Sequence, residues 1–326
     1  MICMLVDFTV MNHLLSNSGV SLERLQSFLH VAEAGGIARA CGGDPVKQSQ
    51  YSRQIRELEA FFGTALTLRQ GRRVVISAQG LRLAEVIRQN FQSLEDFRRE
   101  MADAPRVFSL GAGGSVLEWT VAPMFGRLFS IWPDSTWKLE NHRSADLVSR
   151  VADGRLDFAI VRSDAIPPGL PALKVTVQSY VAALPRQWAA DFADQTRLTL
   201  KHLAALRLAL PTERGQMRDA VEAVFAKAGL KLNPSVTCGG SLQAHALVAS
   251  GSCAAILPDS IPSDGISTYA IPQMAGYRRT LVLHWNERQM ERRAISGEKI
   301  RAMARLLQSV KTPAPRADTA SAGSAR

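Results

Sequence analysis

The sequence predicts an α/β protein built in series: an N-terminal winged helix-turn-helix, a linker helix, and a C-terminal region of two α/β subdomains. Three observations predict it. Residues 45–63 form one amphipathic pattern with a polar, cationic face, behind a helix and a glycine turn. Residues 78–101 carry apolar positions at threes and fours without a break. After Pro105, short apolar strands alternate with helical stretches, the pattern of a sheet covered by helices.

The first helix is marked by Leu22, Leu25, Phe28, Leu29 and Val31, with Ser21 placed to cap it. Gly35-Gly36 ends it, and Ile37 to Cys41 makes a short second helix. Gly42-Gly43 should stop that helix early, since each glycine costs about 1 kcal/mol in a helix. In the third helix Ile55, Leu58 and Phe62, with Tyr51 a turn earlier, form the buried stripe, and Gly63 supplies the left-handed stop. The other face carries Lys47, Gln48, Ser49, Gln50, Ser52, Arg53 and Gln54. Such side chains suit a DNA major groove: glutamine pairs with adenine, lysine and arginine with guanine or phosphate, and serine with either. An ordinary surface helix reads the same from this stretch alone. Helix, tight turn, polar-faced helix is nevertheless the helix-turn-helix arrangement. After it, Leu66 to Arg69 and Val74 to Ile76 flank Gln70-Gly71-Arg72-Arg73, a two-stranded wing with a cationic tip.

At these residues the chain resembles the LysR-type transcriptional regulators. KQSQYSRQIRELEAFFG stands where a typical member has SQPALSRQIRRLEEELG, and the family's wing pattern meets Arg69, Gly71, Arg72, Val74, Ile76, Ser77 and Gly80. The entry to the recognition helix, Lys47-Gln48-Ser49-Gln50, departs from the family's Ser-Gln-Pro-Ala, so an atypical DNA site is expected. The DNA-binding set is therefore Lys47, Gln48, Ser49, Gln50, Ser52, Arg53, Arg69 and Arg72.

Ser77 is placed to cap the long helix, in which Met101, with Phe97 beside it, extends the run of four apolar positions Leu83, Ile87, Phe91 and Leu94. A helix packed on its own domain would show the same spacing. The resemblance implies an inter-subunit seam through those four residues, giving a homodimer or a homotetramer.

Beyond it, strands are expected at 107–111, 137–140, 156–161, 206–211, 253–258 and 280–285, and helices at 117–131, 144–153, 215–228, 241–249 and 298–310. Two such halves resemble the type 2 periplasmic-binding-protein-like effector domain of LysR regulators. Gly154 to Ile160 meets the pattern G-x-L-D-x-A-I, and Ala246 to Pro258 meets a second family pattern, with Cys253 in place of a glycine. The expected organisation is an extension over 1–20, the DNA-binding domain over 21–77, the linker over 78–103, the effector-binding domain over 104–310 and a disordered tail over 311–326. Half I covers about 104–180 plus 287–310, and half II about 181–286. Ligands of such folds sit at the carboxyl ends of strands, where helix starts offer N–H groups. Ser115, Thr212 and Ser241 stand at helix starts, and Arg162 follows a strand. Capping would use the same hydroxyls for stability alone. The resemblance places Ser115 and Ser241 in the effector cleft.

Composition sets the remaining bounds. The chain has 326 residues, 46% of them hydrophobic, enough for two or three cored domains. Its net charge of +10 favours a polyanionic partner, although a solubility-tuned surface is just as basic. Cys3, Cys41, Cys238 and Cys253 have neither CxxC spacing nor histidines at ligand spacing, and read as reduced thiols of a cytoplasmic protein. Residues 1–20 lack a cationic leader and a small-residue cleavage site, and Asp7 interrupts the apolar run, so they read as an extension from an upstream start. Gly111-Ala-Gly113-Gly114-Ser115 approaches a dinucleotide fingerprint, but Val116 replaces its third glycine. Ser135 to Lys138 has S-x-x-K spacing without the S-D-N or K-T-G that accompany it in acyl-serine enzymes. No catalytic constellation, cofactor or metal site is expected. The reading is a regulator that binds promoter DNA and a small anionic effector, with RNA polymerase a further candidate partner. The alternative is a solute-binding or enzymatic α/β domain whose N-terminal helices only pack.

Overall fold

The computed structural model describes residues 20–71, 73–192, 195, 197–212 and 216–309, and the chain divides into two compact units between Ala104 and Pro105. The expected extension (Val20 apart), the tail and Arg72 lie outside the described residues.

In the first unit, α1 (Leu22–Ala34) starts at Ser21, whose hydroxyl accepts from the Arg24 N–H at 3.2 Å. α2 (Ile37–Cys41) follows a turn in which Gly36 has φ +143° and lies so close to the Val74 carbonyl that a Cβ would sit 2.7 Å from it. α2 stops at Gly42, as the two glycines require. α3 (Pro45–Phe62) ends at Gly63, φ +62°. The wing is β1 (Thr67–Gln70) paired antiparallel with β2 (Arg73–Ile76), turning at Gly71 with φ +60°. Glu59 ties wing to helix: its Oε1 accepts from the N–H groups of Leu66 and Thr67 at 2.9 and 3.0 Å. α4 (Ala78–Met101) is capped by Ser77, which accepts from the Gly80 N–H at 2.9 Å and donates to the Ala65 carbonyl at 2.7 Å. One core, with Phe28, Val31, Ile55, Leu58, Leu66 and Ile87, joins α1, α3, the wing base and α4. Phe62, expected in that stripe, is 38% exposed, its ring edge-on to Phe61 with centroids 5.0 Å apart.

The second unit holds two five-stranded sheets. The first has the order β4-β3-β5-β12-β6: β3 (Arg106–Ala112), β4 (Ser135–Asn141), β5 (Phe158–Arg162), β6 (Ala172–Gln178) and β12 (Arg279–Trp285). The second has the order β11-β7-β10-β8-β9: β7 (Tyr180–Pro185), β8 (Leu208–Pro211), β9 (Val236–Cys238), β10 (Ala254–Pro258) and β11 (Ile266–Ala270). The sheets are mixed rather than wholly parallel, since β12 runs antiparallel to β5 and β6, and β7 to β10 and β11. The expected half boundary near 286 is corrected by β12: Leu281 and Leu283 pack into the first core with Phe108 and Phe158, and Trp285 pairs with Phe158 in register. The chain thus crosses at Ser179 and again over 271–278.

Helices clothe the sheets. α5, a composite over 114–128, runs from an α turn through a π turn at Leu117–Val121 and a 3₁₀ turn at Ala122–Met124. Pro123 has no N–H to give to Trp119, so a regular ladder cannot continue there. Then come α6 (Ser144–Ala152), α7 (Leu200–Ala205), α8 (Gln216–Lys227), α9 (Ser241–Ala249), α10 (Glu287–Arg292) and α11 (Gly297–Gln308). Trp119 leaves its own half and packs in the core beneath α9, 5.5 Å from the His245 ring. No helix among the described residues is long and apolar enough to cross a membrane.

Candidate nucleic-acid interface and effector cleft

α3 is exposed at its start and buried at its end. Asp44 accepts from the N–H groups of Val46 and Lys47 at 2.9 and 3.2 Å, and Pro45 occupies the first turn, where a missing N–H is harmless. The cap uses up those amides, so contacts to a polyanion fall to side chains. Lys47, Gln48, Ser49, Gln50 and Arg53 are exposed, and Ser52 is half-buried beside them. Gln54 does not belong to that face: it is buried, with Nε2 donating to Glu23 at 3.2 Å. Arg53 lies only 3.9 Å from Glu57, but Glu57 is engaged at 2.7 Å by Arg24, which leaves Arg53 71% exposed. Arg69 is exposed on the wing, with Arg73 across the turn. Val46, which the sequence does not single out, is 74% exposed next to Lys47. An aliphatic group there is able to pack on a thymine methyl, a contact that only burial data reveal.

The second unit has an open cleft of about 830 Å³ between its two sheets. The first half contributes Asn141, the start of α6 at Arg143, Ser144 and Ala145, and the strand-end residues Arg162 and Arg279. The second contributes Pro211, Arg218 on α8, and Gly239, Gly240 and Ser241 at the start of α9. Arg162 is held by Asp164 at 2.9 Å, and Arg218 by Glu222 at 2.8 Å and by the Pro211 carbonyl. Arg279 is held by neutral groups: its Nε donates to Gln178 Oε1 at 2.8 Å, and its guanidinium lies 5.7 Å over the Tyr180 ring. Of the four residues singled out for this site, Arg162 and Ser241 line it. Ser115 sits just beyond Gly113, which does line it, and Thr212 just past Pro211, its N–H donating to the Cys238 carbonyl. Neither belongs to the described lining, because the strand ends bring the residues before them to the wall. Ser241 is no cap: Gly240 holds the cap position of α9, with no side chain bonding the first-turn amides. Among the cleft's cations, Arg143, Arg218 and Arg279 are those the sequence did not flag. An arginine on a helix or strand end looks like surface until the crossings fold it inward.

Residues 22–81 match the family described as bacterial regulatory helix-turn-helix protein, lysR family, and residues 103–309 match the LysR substrate binding domain. The chain belongs to the LysR family. Members of this family are transcriptional regulators. The HTH-type transcriptional regulator TtuA of Agrobacterium vitis is 27% identical over 246 residues, 73% of this chain and 80% of that protein. A probable hydrogen peroxide-inducible genes activator of Mycobacterium avium is 27% identical over 261 residues, 76% of this chain and 83% of that protein. A full-length OxyR variant from Pseudomonas aeruginosa shares the fold at TM-score 0.60 and 17% identity, covering 90% of this chain and 96% of that one. Full-length CbnR complexed with its target DNA does so at TM-score 0.54 and 21% identity, covering 87% and 99%.

Within this LysR-family chain, α4 corrects the expected seam. Ile87 is 3% exposed in the core of its own unit, and Leu83 and Phe91 pack against that core. Their spacing satisfied both readings, and α1 takes that stripe. Of the four, only Leu94 stays open, followed by Phe97 and Met101, at 55%, 61% and 66% exposure. These three recur at i, i+3 and i+7, a second apolar stripe near the helix end. The cysteines described are buried: Cys41, Cys238 and Cys253. Burial pushes the Cys41 and Cys253 thiols up, helped at Cys41 by Asp44 and at Cys253 by Cys238.

Proposed function

We propose that this LysR-family regulator reads promoter DNA with the exposed first turns of α3 and the wing, and is switched by a small anion held between the two halves of its second unit. The observation that carries the DNA reading is the split in α3: polar and cationic over 47–53, with Ile55 and Leu58 fixed in the core. A rigid root with a polar tip is what base readout needs. The effector reading rests on the cleft, where Arg162, Arg218 and Arg279 meet the open start of α9. A charge at a helix start gains about 0.3–1 kcal/mol from the helix dipole, before its hydrogen bonds. The effector shifts the halves only by its differential affinity for one arrangement of them. Ser115 and Thr212 act, in this reading, by shaping the backbone at the cleft mouth.

Copies of the chain pair through Leu94, Phe97 and Met101, as a dimer or as paired dimers. The regulator works in the cytoplasm, with RNA polymerase as the further partner that transcription requires. The peroxide-linked relative raises a second reading, a thiol sensor. Buried thiols held above their usual range are poor nucleophiles, so Cys41 and Cys253 argue against it.

The test is fluorescence anisotropy of the full chain against duplexes from its own upstream regions, repeated with small carboxylates that raise its melting temperature. A preferred duplex, and an affinity for it that changes with a stabilising carboxylate, is the expected result. Equal binding to all duplexes, with no ligand effect, would sink the reading.

A further inference from the structure

We infer that the effector carries two separated anionic groups, one gripped by each half, a small dicarboxylate in the simplest case; this rests on the cleft being the effector site. Both walls offer an uncapped helix start with arginine beside it, three arginines on the first and Arg218 on the second, of which Arg162 and Arg218 also pair with Asp164 and Glu222. On the first, α6 opens at Ser144 behind Arg143, with no side chain capping its first-turn amides, and Arg162 and Arg279 stand nearby. On the second, α9 opens at Ser241 behind Gly240, equally uncapped, and Arg218 stands nearby. Asp146 is the one carboxylate among the described lining residues, against arginines 143, 162, 218 and 279. Both helices are nine residues long, so each start presents aligned N–H groups.

A monoanion satisfies one wall and leaves the uncapped helix start of the other facing a neutral group. A dianion satisfies both, and its second contact is made at the high effective concentration set by the first. The same geometry supplies the switch. Two anchors on separate walls are both engaged only when the walls are at one spacing, which gives the ligand the differential affinity that a conformational change demands. Arg279 is suited to report this, because Gln178, its partner at 2.8 Å, also donates to Ser260 of the second half at 2.9 Å.

The test is isothermal titration of the full chain with matched pairs: succinate and glutarate against their monomethyl esters and against butyrate. The dianion of at least one pair should bind tenfold or more tightly than its ester. Arg218→Gln and Arg279→Gln should each bring dianion affinity down to that of the ester. Because loss of those arginines also removes structural bonds, Ser144→Asp and Ser241→Asp form a second arm. An aspartate at a helix start favours the helix but repels a carboxylate. Each should keep or raise the melting temperature while abolishing dianion binding. Ester and diacid binding equally, both weakened by the cleft variants, would leave the cleft as the effector site and overturn the dianion. Binding of any probe that no cleft variant alters would overturn the cleft reading itself. A panel in which no dianion binds rejects the dicarboxylate class.

Discussion

Asp157 and Arg293 form an ion pair with side chains only 6% and 1% exposed, joining the start of β5 to the turn after α10. The remaining polar atoms of the pair are engaged as well. Asp157 Oδ1 also accepts from Gln289 Nε2 at 2.9 Å, and Oδ2 accepts from the Ser109 N–H and hydroxyl at 2.7 and 2.9 Å. Arg293 donates to the Val107 carbonyl at 2.7 Å, and its guanidinium lies 5.1 Å over the Phe108 ring. The pair therefore pins the segment that follows β12 to β3 and β5.

Breaking this pair should be costly in one direction only. Arg293→Leu or Asp157→Ala should each destabilise the chain by about 3–5 kcal/mol, because the remaining charge is buried without its partner. The double variant Asp157→Leu/Arg293→Met should recover much of that loss. Urea unfolding of the three variants measures it, and a double variant worse than the sum of the singles would contradict this account.

DNA affinity should fall steeply with salt. Lys47 and Arg53 are exposed cations on α3 and Arg69 on the wing, and each phosphate such a cation neutralises contributes a slope of about −0.9 in log K against log salt. Arg69→Ala should weaken binding to all duplexes alike and reduce the slope by about one. Gln48→Ala should instead flatten base preference at its own position by about 1–3 kcal/mol. An affinity that hardly changes with salt would remove the electrostatic basis of the reading.

The helix-turn-helix was legible because its signals are local. Ser21, Gly35 and Gly63 do their work within a few residues of where they stand, and so does Ser77 in its capping bond to Gly80. Neither β7 nor β11 was legible: in β7, Tyr180 to Pro185 is buried throughout, so no alternation marks it, and both strands are defined by partners far along the chain. Pairing at long range also decided β12, whose sequence fits either sheet. Arg162 and Ser241 were found because strand ends and helix starts are where such folds bind. Arg279 was missed because the second crossing that places it was misassigned.

The long helix α4 carries a buried apolar stripe and, near its end, an exposed one. Ile87→Asp buries a charge in the core shared with Phe28 and Leu58, and should cost more than about 3 kcal/mol. Leu94→Glu with Phe97→Glu changes only exposed positions and should leave the melting temperature of dilute protein nearly unchanged while producing monomers. Sedimentation velocity on the two variants discriminates the stripes. An unchanged oligomer in the double variant would move the interface away from this helix.

Stability should decline on mild acidification, and His284 is a named source of the decline. It is 2% exposed near the end of β12, and Nδ1 must carry the proton that it donates to the Pro171 carbonyl at 2.8 Å. Burial lowers its pKa, and the bond to the carbonyl only partly opposes that. In the unfolded chain the ring titrates near its ordinary value, about 6.5. As pH falls through that value the unfolded state takes up a proton that the folded state refuses, so folding stability drops with it; above that value the full stability is present. His284→Asn can keep the amide donor to Pro171 without a titrating ring. Urea midpoints between pH 7.5 and 5 should therefore fall less in His284→Asn than in the parent chain, even if the variant is less stable throughout. Parallel pH profiles for the two would show that His284 contributes nothing to the acid sensitivity.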